Sequence, residues 1–240
     1  MASFLLIHGS CHGAWCWQAL IPELERLGHA ARALDLPGRP GDPRPRDQMS
    51  LALNAETIQQ ALARADTPVH LLGHSAGGFP ISAAAEAVPE RIARLYYLCA
   101  YAPRDGLSMI AMRREQARQP LAGAVVKTDD GLAYSALPDR ARAHFYQDLP
   151  DPMAQQAIAQ LCPEPIAPQA TPIRLTERYH SVPRCYIRCT EDRTIPPEYQ
   201  AEMAQSFPPE DRYEMPTSHS PFLSDPRGLA ALLSRVAEGK

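Results

Sequence analysis

Val69-His70-Leu71-Leu72-Gly73-His74-Ser75-Ala76-Gly77-Gly78 is an apolar run of strand character that enters G-x-S-x-G and then an alanine-rich stretch of helical character reaching Ala87. A serine in this context sits on a very tight strand-to-helix turn. Side chains two positions before and after it would collide, and Gly73 and Gly77 fill both places. The turn brings Ser75 to a helix N-terminus, where free N–H groups and the helix dipole favour developing negative charge. The competing reading is a glycine-rich turn with an incidental serine. A phosphate-binding loop is disfavoured, because neither G-x-x-x-x-G-K-[ST] nor G-x-G-x-x-G is present.

Working outward, strand-like runs recur at Phe4 to His8, Ala31 to Leu36, Leu95 to Ala100 and Arg184 to Thr190, with a weaker one at Arg212 to Met215. Trp17 to Leu27 carries Leu20, Ile21, Leu24 and Leu27 at helical spacing and stops at Gly28. Leu51 to Ala65 reads as a second helix with Ser50 as N-cap, and Leu229 to Ala237 as the last one. Strand, helix, strand implies right-handed crossovers and a parallel sheet. The alternation breaks between Tyr101 and Pro183, where about eighty residues hold no strong strand, an insertion long enough to be a lid. The expected architecture is the α/β-hydrolase fold, a mostly parallel central sheet flanked by helices. Residues 1–102 and 183–240 form the core, and 103–182 a mainly helical cap within one domain.

Stabilising a tetrahedral oxyanion takes a second N–H donor from the loop after an earlier strand. His8-Gly9-Ser10-Cys11-His12-Gly13 follows the first strand, so the donors are expected to be the backbone N–H groups of Ser10 and Ala76. In this fold the chain order of a triad is serine, acid, histidine. Only His144, His180 and His219 follow Ser75, and the first two fall in the cap. His219, in Thr217-Ser218-His219-Ser220-Pro221, follows the last strand, where a loop can carry it back over Ser75. The acid comes from Thr190-Glu191-Asp192-Arg193, a loop leaving a strand; Asp192 is preferred, and Glu191 competes on spacing. The chemistry needs all three groups: an imidazole takes the serine proton, and a carboxylate fixes the imidazole tautomer.

The formal charge of −3 is spread without a basic run, which argues against nucleic acid and anionic membranes as partners. Met1 leads directly to Phe4-Leu5-Leu6-Ile7 without a signal-peptide pattern, and no apolar stretch approaches the roughly 20 residues of a membrane span. The expectation is a cytoplasmic protein. Cys11, Cys16, Cys99, Cys162, Cys185 and Cys189 lack the C-x-x-C spacing of structural zinc and read as reduced, mostly buried thiols. No metal and no organic cofactor is implied. A homodimer remains open. Prolines cluster at Pro37 to Pro45, an extended loop, and from Pro150 to Pro172, a region of short helices.

Three segments together carry a resemblance. They are His8-Gly9-Ser10-Cys11-His12-Gly13-Ala14-Trp15-Cys16-Trp17, Gly73-His74-Ser75-Ala76-Gly77-Gly78, and Cys189-Thr190-Glu191-Asp192 with Ile195-Pro196. They resemble the plant methylesterase and hydroxynitrile lyase branch of the α/β-hydrolase superfamily, which also has bacterial esterase members. The likeness spans the sheet framework in order and loosens across the cap. It implies Asp192 rather than Glu191 as the triad acid. The family's lyases carry threonine where this chain has Gly9 and lysine where it has Ser220, and its esterases usually carry methionine at the latter place. Ser220 departs from both.

The expected activity is therefore hydrolysis of small to medium carboxylic esters by an acyl-enzyme route, with Ser75 as nucleophile. Cyanohydrin cleavage and a low-turnover ligand receptor on the same fold are the alternatives. The expected pocket wall comprises Gly9, His74 and Ser220 around the triad, with Tyr101, Met109, Met112, Tyr134, Phe145 and Tyr146 from the cap and its approach.

Overall fold

A computed structural model describes residues 1–239. Its centre is a six-stranded, wholly parallel sheet in the order β2-β1-β3-β4-β8-β9. The strands are β1 (Ser3–Ile7), β2 (Ala30–Leu34), β3 (Val69–His74), β4 (Ile92–Leu98), β8 (Arg184–Cys189) and β9 (Arg212–Met215). The helices of this framework are α1 (Leu20–Arg26), α2 (Leu51–Ala63), α3 (Gly78–Ala87), α9 (Pro197–Ala204), α10 (Pro221–Ser224) and α11 (Pro226–Ala237). Ser50 does cap α2, its hydroxyl accepting from the Leu53 amide at 3.1 Å. The first expected helix is shorter than its apolar spacing suggests: a 3₁₀ turn takes Ala14–Trp17, and α1 begins at Leu20.

Side chains on a strand alternate between faces, so each strand feeds two cores. Leu5, Ile7, Leu71 and Tyr97 pack on one side with Ile58 of α2 and Ile81 of α3. Phe4, Leu6, Leu72 and Tyr96 pack on the other with Leu24 of α1 and Leu233 of α11. Both faces are thus covered, as a parallel sheet requires.

The strand order reverses at β1: β2 lies on one side of it and β3 on the other. Loops that leave β1 and β3 therefore diverge and open a crevice at the carboxyl edge, the usual ligand position in open α/β sheets. Ile7 is level with Gly73. The loop starting at His8 and the turn holding Ser75 consequently emerge side by side.

Between β4 and β8 lie α4 (Met109–Glu115), α5 (Pro138–Phe145), α6 (Asp151–Ile158), α7 (Ala167–Ala170) and α8 (Glu177–His180). The same stretch also holds an antiparallel sheet in the order β5-β6-β7, made of β5 (Val125–Lys127), β6 (Ala133–Ala136) and β7 (Glu164–Pro165). The sequence shows no strong strand there. Strands of three, four and two residues are too short for a period-2 pattern to register. Among the described residues no helix is long and apolar enough to cross a membrane.

Candidate active site

Ser75 has φ 54°, a conformation that side-chain-bearing residues avoid and that the surrounding glycines permit. A Cβ on Gly73 would lie 2.6 Å from the Gly77 carbonyl oxygen, and one on Gly77 would lie 2.8 Å from the His8 carbonyl oxygen. The two motif glycines thus let the elbow close on itself and dock against the end of β1. Gly78 is a third glycine demanded by contact, since its Cβ would run into the Tyr101 carbonyl. The Tyr101 amide in turn donates to the Ser75 carbonyl at 3.1 Å.

His219 and Asp192 meet behind this turn. His219 Nδ1 donates to Asp192 Oδ2 at 2.7 Å, with both side chains buried. The other donors to Asp192 are Gln200 Nε2 at 2.8 Å on Oδ2, Thr194 N at 2.6 Å and Ile195 N at 3.1 Å, both on Oδ1. A carboxylate so surrounded by donors is fixed in direction. Glu191 is left out: its carbonyl accepts from Gln147 Nε2, and its amide donates to the Thr217 carbonyl, which joins the acid and histidine loops. The histidine loop is pinned from the cap, where Asp148 accepts from the Ser218 amide at 2.9 Å and from its hydroxyl at 2.5 Å.

With the proton on Nδ1, Nε2 of His219 keeps a free lone pair. Ser75 and His219 line one cavity of about 460 Å³ of empty space, together with Ser10. The Ser10 amide has no acceptor among the described residues. Its loop is clamped: Cys11, at φ 62°, donates its amide to Glu164 Oε2 at 2.9 Å. Arg39 Nη2 pairs with the same oxygen at 2.9 Å, while Nη1 donates to the His12 carbonyl at 2.8 Å. Gln169 Nε2 donates to Ser10 Oγ at 2.8 Å. Ala76 lines an adjoining cavity with Gly9 and Gly77.

Histidines under the site are kept neutral. Burial, aided by the charges of His219 and Arg39, pulls His12 down from 6.5 to about 4. Its Nδ1 donates to the Ser10 carbonyl at 2.8 Å, and its Nε2 accepts from the Tyr146 hydroxyl at 2.7 Å. Burial likewise drives His8 and His74 well below the usual imidazole value. His74 Nε2 donates to the His219 carbonyl at 2.8 Å.

Of the expected pocket residues, Tyr101, Met109, Tyr134 and Phe145 do line the cavity that holds Ser75 and His219. Met112 does not: it is buried and faces a separate cleft with Tyr199 and Met203, its carbonyl accepting from the Tyr199 hydroxyl. His74 and Ser220 are fully buried behind the wall, and Tyr146 is bonded to His12 beneath it. Gly9 lies in the adjoining cavity. Gln200, Glu164, Arg39 and Gln169 escaped the sequence reading altogether. His74, Cys99 and His219 bring ligand-type atoms within 4.8 Å of one another. His219 Nδ1 is already committed to Asp192 and His74 Nε2 to a carbonyl, and burial holds the Cys99 thiol protonated, so the trio is poorly suited to a metal.

The alpha/beta hydrolase family model matches residues 4–232. The chain belongs to the alpha/beta hydrolase family. Within that family it is 29% identical over 251 residues to methylesterase 7 of Arabidopsis thaliana, covering 98% of this chain and 96% of the relative. It is 30% identical over 251 residues to the pyrethroid hydrolase of Sphingobium wenxiniae, covering 99% of this chain and 88% of that protein. The crystal structure of a pyrethroid hydrolase from Sphingobium faniae JZ-2 superposes with a TM-score of 0.87 at 28% identity, over 99% of this chain and 97% of that one. These similarities agree with the branch that the three sequence segments resemble, and they extend the likeness across the cap.

Proposed function

We propose that this hydrolase cleaves carboxylic esters through an acyl-enzyme on Ser75. The observation that carries the reading is the His219–Asp192 pair: an imidazole whose Nδ1 is tied to a buried carboxylate shares a cavity with a serine on a strained elbow. Ser75 Oγ attacks the acyl carbon while His219 Nε2 takes the proton. The amides of Ser10 and Ala76 donate to the resulting oxyanion. His219 then protonates the leaving alcohol, deprotonates a water for attack on the acyl carbon, and returns the proton to Ser75 as the acid departs. Asp192 orients the imidazole and balances its transient charge. The relatives, methylesterases and a pyrethroid hydrolase, support the ester as substrate class.

The lyase alternative would need a lysine at position 220, next to His219, and Ser220 is uncharged and buried. It would also need a hydroxyl-bearing side chain at position 9, where a Cβ would come 2.8 Å from the Cβ of Ser75 and 2.7 Å from His74 Nδ1. An intact acid–imidazole pair gives a mere receptor little reason to hold it. All six cysteines are buried and unpaired, which supports a reducing compartment such as the cytoplasm.

The test is p-nitrophenyl acetate hydrolysis by purified wild type and Ser75→Ala. The variant is expected to lose about 10⁴-fold or more in kcat. Equal turnover by the two proteins would refute the assignment.

A further inference from the structure

The approach to Ser75 is electropositive, although the chain as a whole carries −3. Arg113, on α4, lines the inner cavity that holds Ser75 and His219, and it also lines a larger outer cavity of about 990 Å³ of empty space with Arg114 and Lys127. The two cavities share Val125 and Tyr134 as well, so the outer one adjoins the inner one at a wall that includes Arg113. Among the described residues no carboxylate lines either cavity. Acids of the surrounding elements are taken: Asp192 pairs with His219, Glu115 with Arg104, Glu198 with Arg118, Asp130 with Arg46 and Glu164 with Arg39. Arg113, Arg114 and Lys127 form no ion pair among the described residues.

Arg113 is half-buried, and a cation without a carboxylate partner beside a substrate cavity gains from an anionic ligand. Arg113 is close enough to the inner cavity for its charge to act on the Tyr101 hydroxyl, opposing the upward push of burial on that group. Arg114 and Lys127 are exposed further out, where they raise the local concentration of anions rather than fix one in place. Apolar walls from Met109, Leu121, Val125 and Phe145 suit a hydrocarbon segment between the ester and its charge.

We infer that the preferred substrates are esters bearing a carboxylate remote from the scissile bond, with Arg113 as the residue that selects them. The inference rests on the ester-hydrolase reading and specifies the substrate class for the same site. Ser75 takes the ester carbonyl at one end, and the guanidinium of Arg113 accepts the carboxylate as a two-pronged ion pair at the other.

The experiment compares methyl hydrogen adipate with dimethyl adipate, alongside p-nitrophenyl acetate, for wild type, Arg113→Gln and Arg113→Lys. Wild type is expected to favour the monoanion. The ratio of kcat/KM values, charged over neutral, is expected to fall about 10–100-fold in Arg113→Gln, mostly through KM, and to be partly retained in Arg113→Lys. Added salt should lower the same ratio in the wild-type enzyme, a readout independent of any variant's folding. A wild-type ratio at or below one, or a ratio insensitive to both salt and Arg113→Gln, overturns the inference while turnover of the neutral ester leaves the hydrolase reading standing. Wild type inert toward all three esters would overturn both.

Discussion

Asp192 receives four hydrogen bonds from buried donors, whereas Arg113, lining the same cavity as His219, pairs with no carboxylate among the described residues. The contrast runs through the molecule. At the carboxyl edge of the sheet, the proposed catalysis draws on groups that cannot move: main-chain amides, an elbow with no room for a Cβ, a carboxylate whose two oxygens are both occupied. In the cap, the wall of that cavity is mixed: Met109 and Phe145 are buried, whereas Arg113, Leu121 and Val125 are half-buried and held by few polar contacts. Rigid groups suit a transition state that is common to all substrates; loosely held ones suit discrimination among substrates.

The largest expected effect breaks the rigid side. Asp192→Asn keeps the shape but turns an acceptor surrounded by donors into an amide that must point N–H toward one of them, and the His219 tautomer is no longer specified. A loss of about 10⁴-fold in kcat with little change in KM is expected for p-nitrophenyl acetate. A loss under about tenfold would mean that the sheet edge is not the rigid partner of the comparison.

The two regions are coupled at Glu164, which comes from β7 of the cap and holds both Arg39 and the Cys11 amide. Glu164→Gln leaves the Arg39 guanidinium buried without a counter-charge, a change that costs about 3–5 kcal/mol when the other ion stays in place. Thermal melting should fall by several degrees, and kcat should drop for charged and neutral esters alike, because the loop that presents the Ser10 amide loses its clamp. If only the charged ester suffered, Glu164 would belong to selection instead.

Much of the sheet edge can be read from residue order alone, and the cap cannot. G-x-S-x-G is visible because steric exclusion at Gly73 and Gly77 acts over five residues, and His219 follows from the order of strands. Gln200 is invisible: it reaches Asp192 from the second turn of α9, and nothing near it in the chain marks a glutamine as buried. Arg39 and Glu164 come from two proline-rich segments far apart in the chain, where no periodicity reports distance. Met112 and Ser220 look like pocket residues because their neighbours are, yet Met112 lines the Tyr199 cleft and Ser220 is fully buried, while Met109 lines the cavity that holds Ser75.

Beneath the rigid side, neutral buried histidines set an acid limit. His12 titrates near 4 in the fold against 6.5 for an ordinary imidazole, and His8 and His74 are also lowered. Below the ordinary value, the unfolded chain binds protons that the native one refuses. The contribution is fully present above 6.5 and drains away as pH falls toward 4, by up to about 3 kcal/mol for His12 alone. Melting temperature should decline between about pH 7 and pH 5, and a flat profile there would mean these imidazoles are hydrated in solution.

The smallest effect sharpens the boundary between the two regions. Ser220 adjoins His219 in sequence, which invites a substrate role. In the fold it is fully buried, and its hydroxyl has no hydrogen-bond partner. Replacing an unsatisfied buried hydroxyl with a methyl group removes a desolvation penalty, so Ser220→Ala should stabilise the protein by about 1 kcal/mol or less, seen as a small rise in the urea midpoint. The preference between charged and neutral esters should not change, since the side chain does not reach the cavity. A shifted preference with unchanged stability would move Ser220 from the rigid floor to the selecting wall, and the line between the two regions would then have to be redrawn through the histidine loop itself.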